Sequence, residues 1–238
     1  MNIKIIGSGS SGNCYRIDDG KTALLIECGL PVKKIKEGCD YNLSEISGCI
    51  VTHEHKDHSL AVNDLMKSGV NVFMTEGTAK KAGAQTYRLR LWHRDGVDTI
   101  GNPFYPAERI GTFTVKPYIA HHDAAEPVFY LIESSATGEK LLFVTDSYYI
   151  DYRFSGLTHI MVEANFCADT LADTDSDPRR SRLRHSHMSL EHCIELLKAN
   201  DLSQIQEIWL IHLSQSNGNA EEFKYRVQEA TGCEVHIA

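Results

Sequence analysis

No apolar run in this chain is long enough to span a bilayer, and no stretch is repetitive, low in complexity or linker-like. A membrane-spanning helix is therefore excluded, no membrane partner is expected, and one domain over residues 1–238 is. The seven cysteines (Cys14, Cys28, Cys39, Cys49, Cys167, Cys193, Cys233) are odd in number and contain no C-x-x-C pair. That argues against a disulfide framework and for reduced thiols in a cytoplasm. The first residues, Asn2-Ile3-Lys4-Ile5-Ile6-Gly7, already alternate like a strand, so no signal peptide is expected, which fits the same compartment. Nor is there an excess of positive charge: 24 Lys and Arg face 32 Asp and Glu, a net charge of −8. An acidic chain has no global field for non-specific binding to phosphates, so any nucleic-acid contact must be local.

What the chain does have is a dense stretch of ligand-type residues, Val51-Thr52-His53-Glu54-His55-Lys56-Asp57-His58. It follows an apolar run, Gly48 to Val51, that reads as a buried strand. It precedes Ser59 to Ser68, which reads as a helix closed by Gly69. Three histidines and an aspartate thus fall on a strand-to-helix turn, where side chains converge. His53 and His55, two apart, point the same way from extended backbone. Asp57 and His58 follow the turn and face a second point. Neutral imidazoles and a carboxylate suit zinc, manganese or iron.

Around this stretch the pattern is strand after strand ending in a polar residue. Cys14–Ile17 and Thr22–Glu27 read as strands about an Asp18-Asp19-Gly20 turn, the second ending at Glu27. Val32–Gly38 reads as a short helix, Asn71–Met74 as a strand, Glu76–Ala84 as a helix and Tyr87–Leu91 as an edge strand. Arg109–Ile119 reads as one or two strands running into His121-His122-Asp123, and alternation lets only one of the two histidines face inward. Val128–Ile132 and Lys140–Val144 read as strands, the latter followed by Asp146, a cap or a ligand. His159–Glu163 and Glu207–Ile211 read as strands ending at Glu163 and before His212. Leu190–Ala199 reads as a helix with Ser189 as its N-cap, Glu221–Thr231 as an amphipathic helix and Glu234–Ile237 as a last strand. The glycine-serine loop, Gly7 to Asn13, is either an anion-facing turn or a plain connection. Residues 169–187 turn from acidic to basic (Arg179-Arg180-Ser181-Arg182-Leu183-Arg184-His185), either a solvated surface or an arginine arm for phosphate.

The H-x-H-x-D-H stretch resembles that of the metallo-β-lactamase-fold hydrolases. Gly7-Ser8-Gly9-Ser10-Ser11-Gly12-Asn13, His122-Asp123-Ala124-Ala125-Glu126-Pro127-Val128 and His212-Leu213-Ser214 resemble most the YycJ-like group. The resemblance implies an α/β fold, the four-layer αβ/βα sandwich of the metallo-β-lactamase type. It also implies two divalent ions, Zn or Mn with Fe as an option. His53, His55, His122 and Asp146 would hold one. Asp57, His58, the bridging Asp146 and His212 would hold the other. His187 would contact phosphate or protonate a leaving oxygen, and Asp57 would orient the attacking hydroxide. Glu27, Glu163 and Asn165 stand near the ligands in that pattern, with Ser11, Asn13, Arg182 and Arg184 as substrate or loop contacts. Two departures stand out: Glu27 replaces the family's aspartate, and Phe166 replaces a YycJ-like histidine. The stretch at His187-Met188-Ser189 also resembles one in tRNase Z. The expected activity is metal-dependent hydrolysis of a phosphodiester, with nucleic acid as the substrate partner. Hydrolysis of a lactone, thioester or β-lactam, and a non-catalytic metal- and nucleotide-binding role, are the alternatives.

Overall fold

The alternating residues at the start of the chain form β1 (Asn2–Gly7), which pairs antiparallel with β2 (Cys14–Asp18) at Ile3↔Ile17 and Ile5↔Tyr15. In the computed structural model, residues 1–167, 185–214 and 219–238 are described. Most of the acidic-to-basic segment, with Arg182 and Arg184, lies outside the described residues. Contacts divide the chain into two units. One is Met1–Ile119 with Ala124–Gly138, and the other is Ala120–Asp123 with Glu139–Ala238.

In the first unit, β2 continues antiparallel to β3 (Ala23–Ile26). Then β4 (Ile46–Ile50), β5 (Val72–Thr75) and β6 (Leu89–Trp92) add in parallel, in that order. Parallel strands need crossovers, supplied here by α1 (Val32–Gly38) and, between β4 and β5, by α2 (Lys56–Ser59) and α3 (Val62–Lys67). A further helix, α4 (Glu76–Ala82), precedes β6, with Thr75 as its N-cap and Gly83 left-handed at its end. Leu25, Cys28, Leu30, Ile35, Val51, Leu65, Val72 and Met74 share one buried core. A meander of β7 (Glu108–Ile110), β8 (Phe113–Ile119) and β9 (Val128–Ser134) completes the unit. The Tyr130 hydroxyl donates to the Val51 carbonyl at 2.6 Å, which fixes the end of β4.

One sequence expectation is revised here. The helix expected from Ser59 is two short helices, and the first begins at Lys56. Asp57 and His58 are therefore in a helical turn, not in loop. The break follows from competing bonds. The Ser59 hydroxyl turns back to the Glu54 and His55 carbonyls, and the Ala61 N–H leaves the helix for Cys28 O at 2.9 Å. The edge strand starts two residues later than expected and takes in the buried Trp92.

The second unit is a parallel sheet of β10 (Lys140–Val144), β11 (His159–Glu163), β12 (Glu207–Ile211) and β13 (Val235–Ile237). Strands β10 and β11 are near-continuous apolar runs and are buried along nearly their whole length, as parallel strands usually are. Helix α5 (Leu190–Lys198) is capped by the Ser189 hydroxyl as expected, and α6 (Ala220–Thr231) by Asn219. Arg226 and Glu191 join the two helices at 3.1 Å. No helix among the described residues is long and apolar enough to cross a membrane.

Candidate metal-binding groups

Side chains able to hold a cation gather at the carboxyl ends of parallel strands in both units, where open α/β sheets bind their ligands. In the first unit the group is local. The backbone of Asp57 and His58 is clamped from two sides: Asn13 N–H donates to Asp57 O at 2.7 Å and Cys28 N–H to His58 O at 2.8 Å. Gly29 makes the clamp possible, because a Cβ there would lie 1.6 Å from the Asp57 carbonyl oxygen. His53 Nδ1 meets the Thr52 hydroxyl at 2.9 Å, and His53 Nε2 stands 3.1 Å from His55 Nδ1. Two nitrogens bonded to one zinc at about 2.0–2.1 Å in a tetrahedron stand at nearly this separation.

His58 is fully buried, with its proton placed by its neighbours. Asn13 Oδ1 accepts from Gly9 N–H and the Tyr15 hydroxyl, so its amide nitrogen is the end that points at His58 Nε2, 3.2 Å away. An amide N–H only donates, so Nε2 carries the lone pair and Nδ1 the proton. Nδ1 lies 3.6 Å from Glu27 Oε1, and Nε2 lies 3.5 Å from Asp57 Oδ2. Glu27, just past the end of β3, is fully buried. That burial raises its pKa, against the pull of His58 and the Thr52 N–H. Ser11 is exposed, and among the described residues no hydrogen bond joins it to this group. Asn13, expected with it as a substrate or loop contact, touches His58 directly.

In the second unit the group is assembled from distant positions. Asp146, Glu163, His187 and His212 bring ligand atoms within 4.8 Å of one another. Glu163, at the end of β11, is the hub. Its Oε1 accepts from His187 Nδ1 at 2.7 Å, from His212 Nδ1 at 3.0 Å and from Asn165 Nδ2 at 3.2 Å, and its Oε2 accepts from Met188 N–H at 3.1 Å. Asn165 also donates to the His212 carbonyl at 2.9 Å. With the His212 proton on Nδ1, its Nε2 carries the lone pair, 3.9 Å from Asp146 Oδ2. His187 Nδ1 lies 3.1 Å from Asp146 Oδ1 as well. Burial opposes charge on His187, but the Glu163 and Asp146 carboxylates outweigh it and raise its pKa to about 10. Burial would raise Glu163 in turn; His187 and the hydrogen bonds hold it below the usual carboxylate value. His122 Nδ1 donates to the Ser186 carbonyl at 2.6 Å, which leaves the Nε2 lone pair for a cation. The neighbouring His121 pairs with Asp151 instead.

Two of these histidines share one arrangement. His122 and His212 each commit Nδ1 to a carbonyl or carboxylate and keep Nε2 basic, and His58 Nδ1 faces Glu27 Oε1 at 3.6 Å. Metal-bound histidines are oriented and made more basic in this way. The donor set, nitrogen and carboxylate oxygen with no thiol, fits a borderline or hard divalent ion. Glu27 (φ 65°), Asp146 (φ 49°) and His212 (φ 53°) are also three of five non-glycine residues with left-handed backbone among those described. All three follow a strand. The reversal swings the side chain off the alternation of the strand, at a cost of roughly 1–3 kcal/mol each. Nothing in the sequence signals it, since none of the three is a glycine and a polar residue after a strand is not a marker of positive φ. Thr52 and the central place of Glu163 likewise had no signal beyond a polar residue at a strand end, and Ser186 had none.

Residues 25–213 match the model of the beta-lactamase superfamily domain. The chain belongs to this superfamily. Its members include a curated relative, exodeoxyribonuclease YycJ of Bacillus anthracis, 25% identical over 96% of this chain and 88% of the relative. Among solved structures, the metallo-β-lactamase fold protein YhfI of Bacillus subtilis aligns over 99% of this chain and 95% of its own, at TM-score 0.76 and 18% identity. The short form of human tRNase Z aligns over 100% and 96%, at TM-score 0.69 and 14% identity. The fold of this superfamily member is thus the metallo-β-lactamase type that its H-x-H-x-D-H stretch led us to expect, and that fold implies divalent metal ions.

Proposed function

We propose that this superfamily member is a binuclear metal-dependent phosphodiesterase that acts on nucleic acid, with DNA favoured. The observation that carries the reading is the set of His122 and His212, whose Nδ1 atoms are tied to protein acceptors as those of metal ligands are. In a chain similar over most of its length to an exodeoxyribonuclease, this set supports phosphodiester chemistry. His53, His55, His122 and Asp146 would hold one zinc or manganese ion, and Asp57, His58, Asp146 and His212 the other. Bound there, the ions supply a water acidic enough to attack near neutral pH and neutralise charge on the phosphate.

The chain's own residues supply the rest. Asp57, a quarter exposed beside His58, accepts a hydrogen bond from the attacking water and aims it. Glu163 fixes the ring of His187, which donates a proton to the departing oxygen. Glu27 and Asn13 hold His58, and Asn165 holds the strand end that carries His212. The test is hydrolysis of bis-p-nitrophenyl phosphate and of labelled DNA oligonucleotides, with zinc or manganese added, by wild type and Asp57→Ala. Wild type should cleave only with metal, and Asp57→Ala should be slower by more than the roughly 100-fold that losing an outer partner costs. Absence of metal-dependent cleavage of both substrates overturns the reading.

A further inference from the structure

The second unit contains a cavity of about 330 Å³ that no part of the metal chemistry uses. One wall is the stretch after Asp146, Tyr149 to Arg153; the other is helix α5 with Met188 before it. Ile150, Met188 and Leu196 make an apolar, buried floor. Above it stand two rings. Tyr149 is 46% exposed, and its centroid is 6.1 Å from that of His192 with the planes at 80°. His192 Nδ1 donates to the Tyr148 carbonyl at 2.9 Å, so the imidazole is anchored. In an edge-on pair, neither ring covers both faces of the other, so a flat aromatic face remains for a ligand. The polar rim has Asp151 and Glu195 against Arg153. Two carboxylates disfavour a phosphate and accept N–H donors instead.

We infer that this cavity holds an unstacked nucleobase, that of a nucleotide flanking the bond to be cut. Its size suits one ring system with part of its sugar. Aromatic faces bind single-stranded bases without much regard to sequence, and carboxylates at the rim take the amino or imino hydrogens of the base edge. The cavity also adjoins the metal-competent group through the chain. Met188 lines it and donates its N–H to Glu163, and Asp151 lines it and pairs with His121, next to His122. A base seated here would put its phosphodiester on the side of His187.

The link to turnover rests on the phosphodiester reading, whereas binding of the base does not. Two measurements separate them. In ligand-observed NMR, deoxyadenosine, which has no phosphate to meet a metal, should bind wild type. Tyr149→Ala, which removes the stacking face, and Ala199→Phe, which fills the cavity from the helix side, should each weaken binding about tenfold. Inorganic phosphate should not displace the nucleoside. In kinetics on the dinucleotide d(ApA), both variants should raise KM about tenfold with kcat and metal content unchanged. Unaltered nucleoside binding in both variants, or displacement by phosphate, overturns the inference. A wild type that binds deoxyadenosine as described but cleaves no phosphodiester sinks the proposed function alone.

Discussion

The metal-competent groups of the two units are built in opposite ways. In the first unit, His53, His55, Asp57 and His58 sit on one short turn, and their spacing alone brings them together. In the second, Asp146, Glu163, His187 and His212 come from positions up to 66 residues apart and meet because three parallel strands and a helix start align them. The local group is clamped through its backbone, by Asn13, Cys28 and the missing side chain of Gly29. The dispersed group is clamped through its side chains, by the single carboxylate of Glu163. A turn can therefore be secured by backbone hydrogen bonds that carry no charge. A constellation of separate strand ends needs a charged hub, and that hub leaves an electrostatic signature.

The largest expected effect tests that signature. The raised pKa of His187 means that its contribution to stability is fully present below pH 6.5 and is lost as pH rises toward about 10. In metal-free protein, His187→Asn removes the contribution. The difference in unfolding free energy between wild type and variant should be greatest near pH 6. It should shrink by about 3 kcal/mol by pH 10, allowing for the part of the ring that stays in water. Chemical denaturation with a chelator present measures it. A difference that stays flat with pH would mean that Glu163 and Asp146 do not hold a charged ring, and the contrast between the units would lose its basis.

A smaller effect compares the two buried glutamates. Glu163 accepts hydrogen bonds from both His187 and His212, and Glu27 faces His58 across 3.6 Å. Losing a carboxylate that orients a metal ligand costs about 10–100-fold in metal affinity. Glu163→Gln should fall at the upper end of that range, and Glu27→Gln at the lower end or below it. Competition with a chromophoric chelator for zinc reads both. Equal losses would place Glu27 on a par with Glu163 and make the first unit's group as dependent on charge as the second's.

The same contrast explains what the sequence disclosed. The order of strands and helices was legible because period-two and period-3.6 patterns report burial directly, and β1 to β5, β9 to β13, α1 and α4 to α6 lie where those patterns run. The split between α2 and α3 was not, because it depends on Ala61 finding a carbonyl, that of Cys28, more than thirty residues away. The histidine turn was legible because its geometry is local. His122, Asp146 and His212 entered only by resemblance, since a lone polar residue after a strand is equally a cap. Glu163 was underrated because a buried glutamate in an apolar strand shows its worth only when its partners arrive. The left-handed backbone at Glu27, Asp146 and His212 was invisible, because only a few per cent of non-glycine residues adopt it and a polar residue after a strand does not say which.

That backbone gives the finest test. Asp146 stands at φ 49°, a conformation that costs a residue with a Cβ about 1–2 kcal/mol and costs glycine almost nothing. Asp57 stands in the first turn of α2, where glycine is worse than alanine by about 0.5–1 kcal/mol. Gly and Ala remove the carboxylate equally, so comparing them at one position cancels the lost contacts and leaves the backbone. Asp146→Gly should therefore be more stable than Asp146→Ala by about 1 kcal/mol, and Asp57→Gly less stable than Asp57→Ala by a similar amount. Thermal unfolding of the four metal-free variants measures both differences. An inverted sign between the positions is what a strained strand end and a relaxed turn require. Alanine favoured at both would show that the second unit spends no backbone strain on aiming its carboxylate.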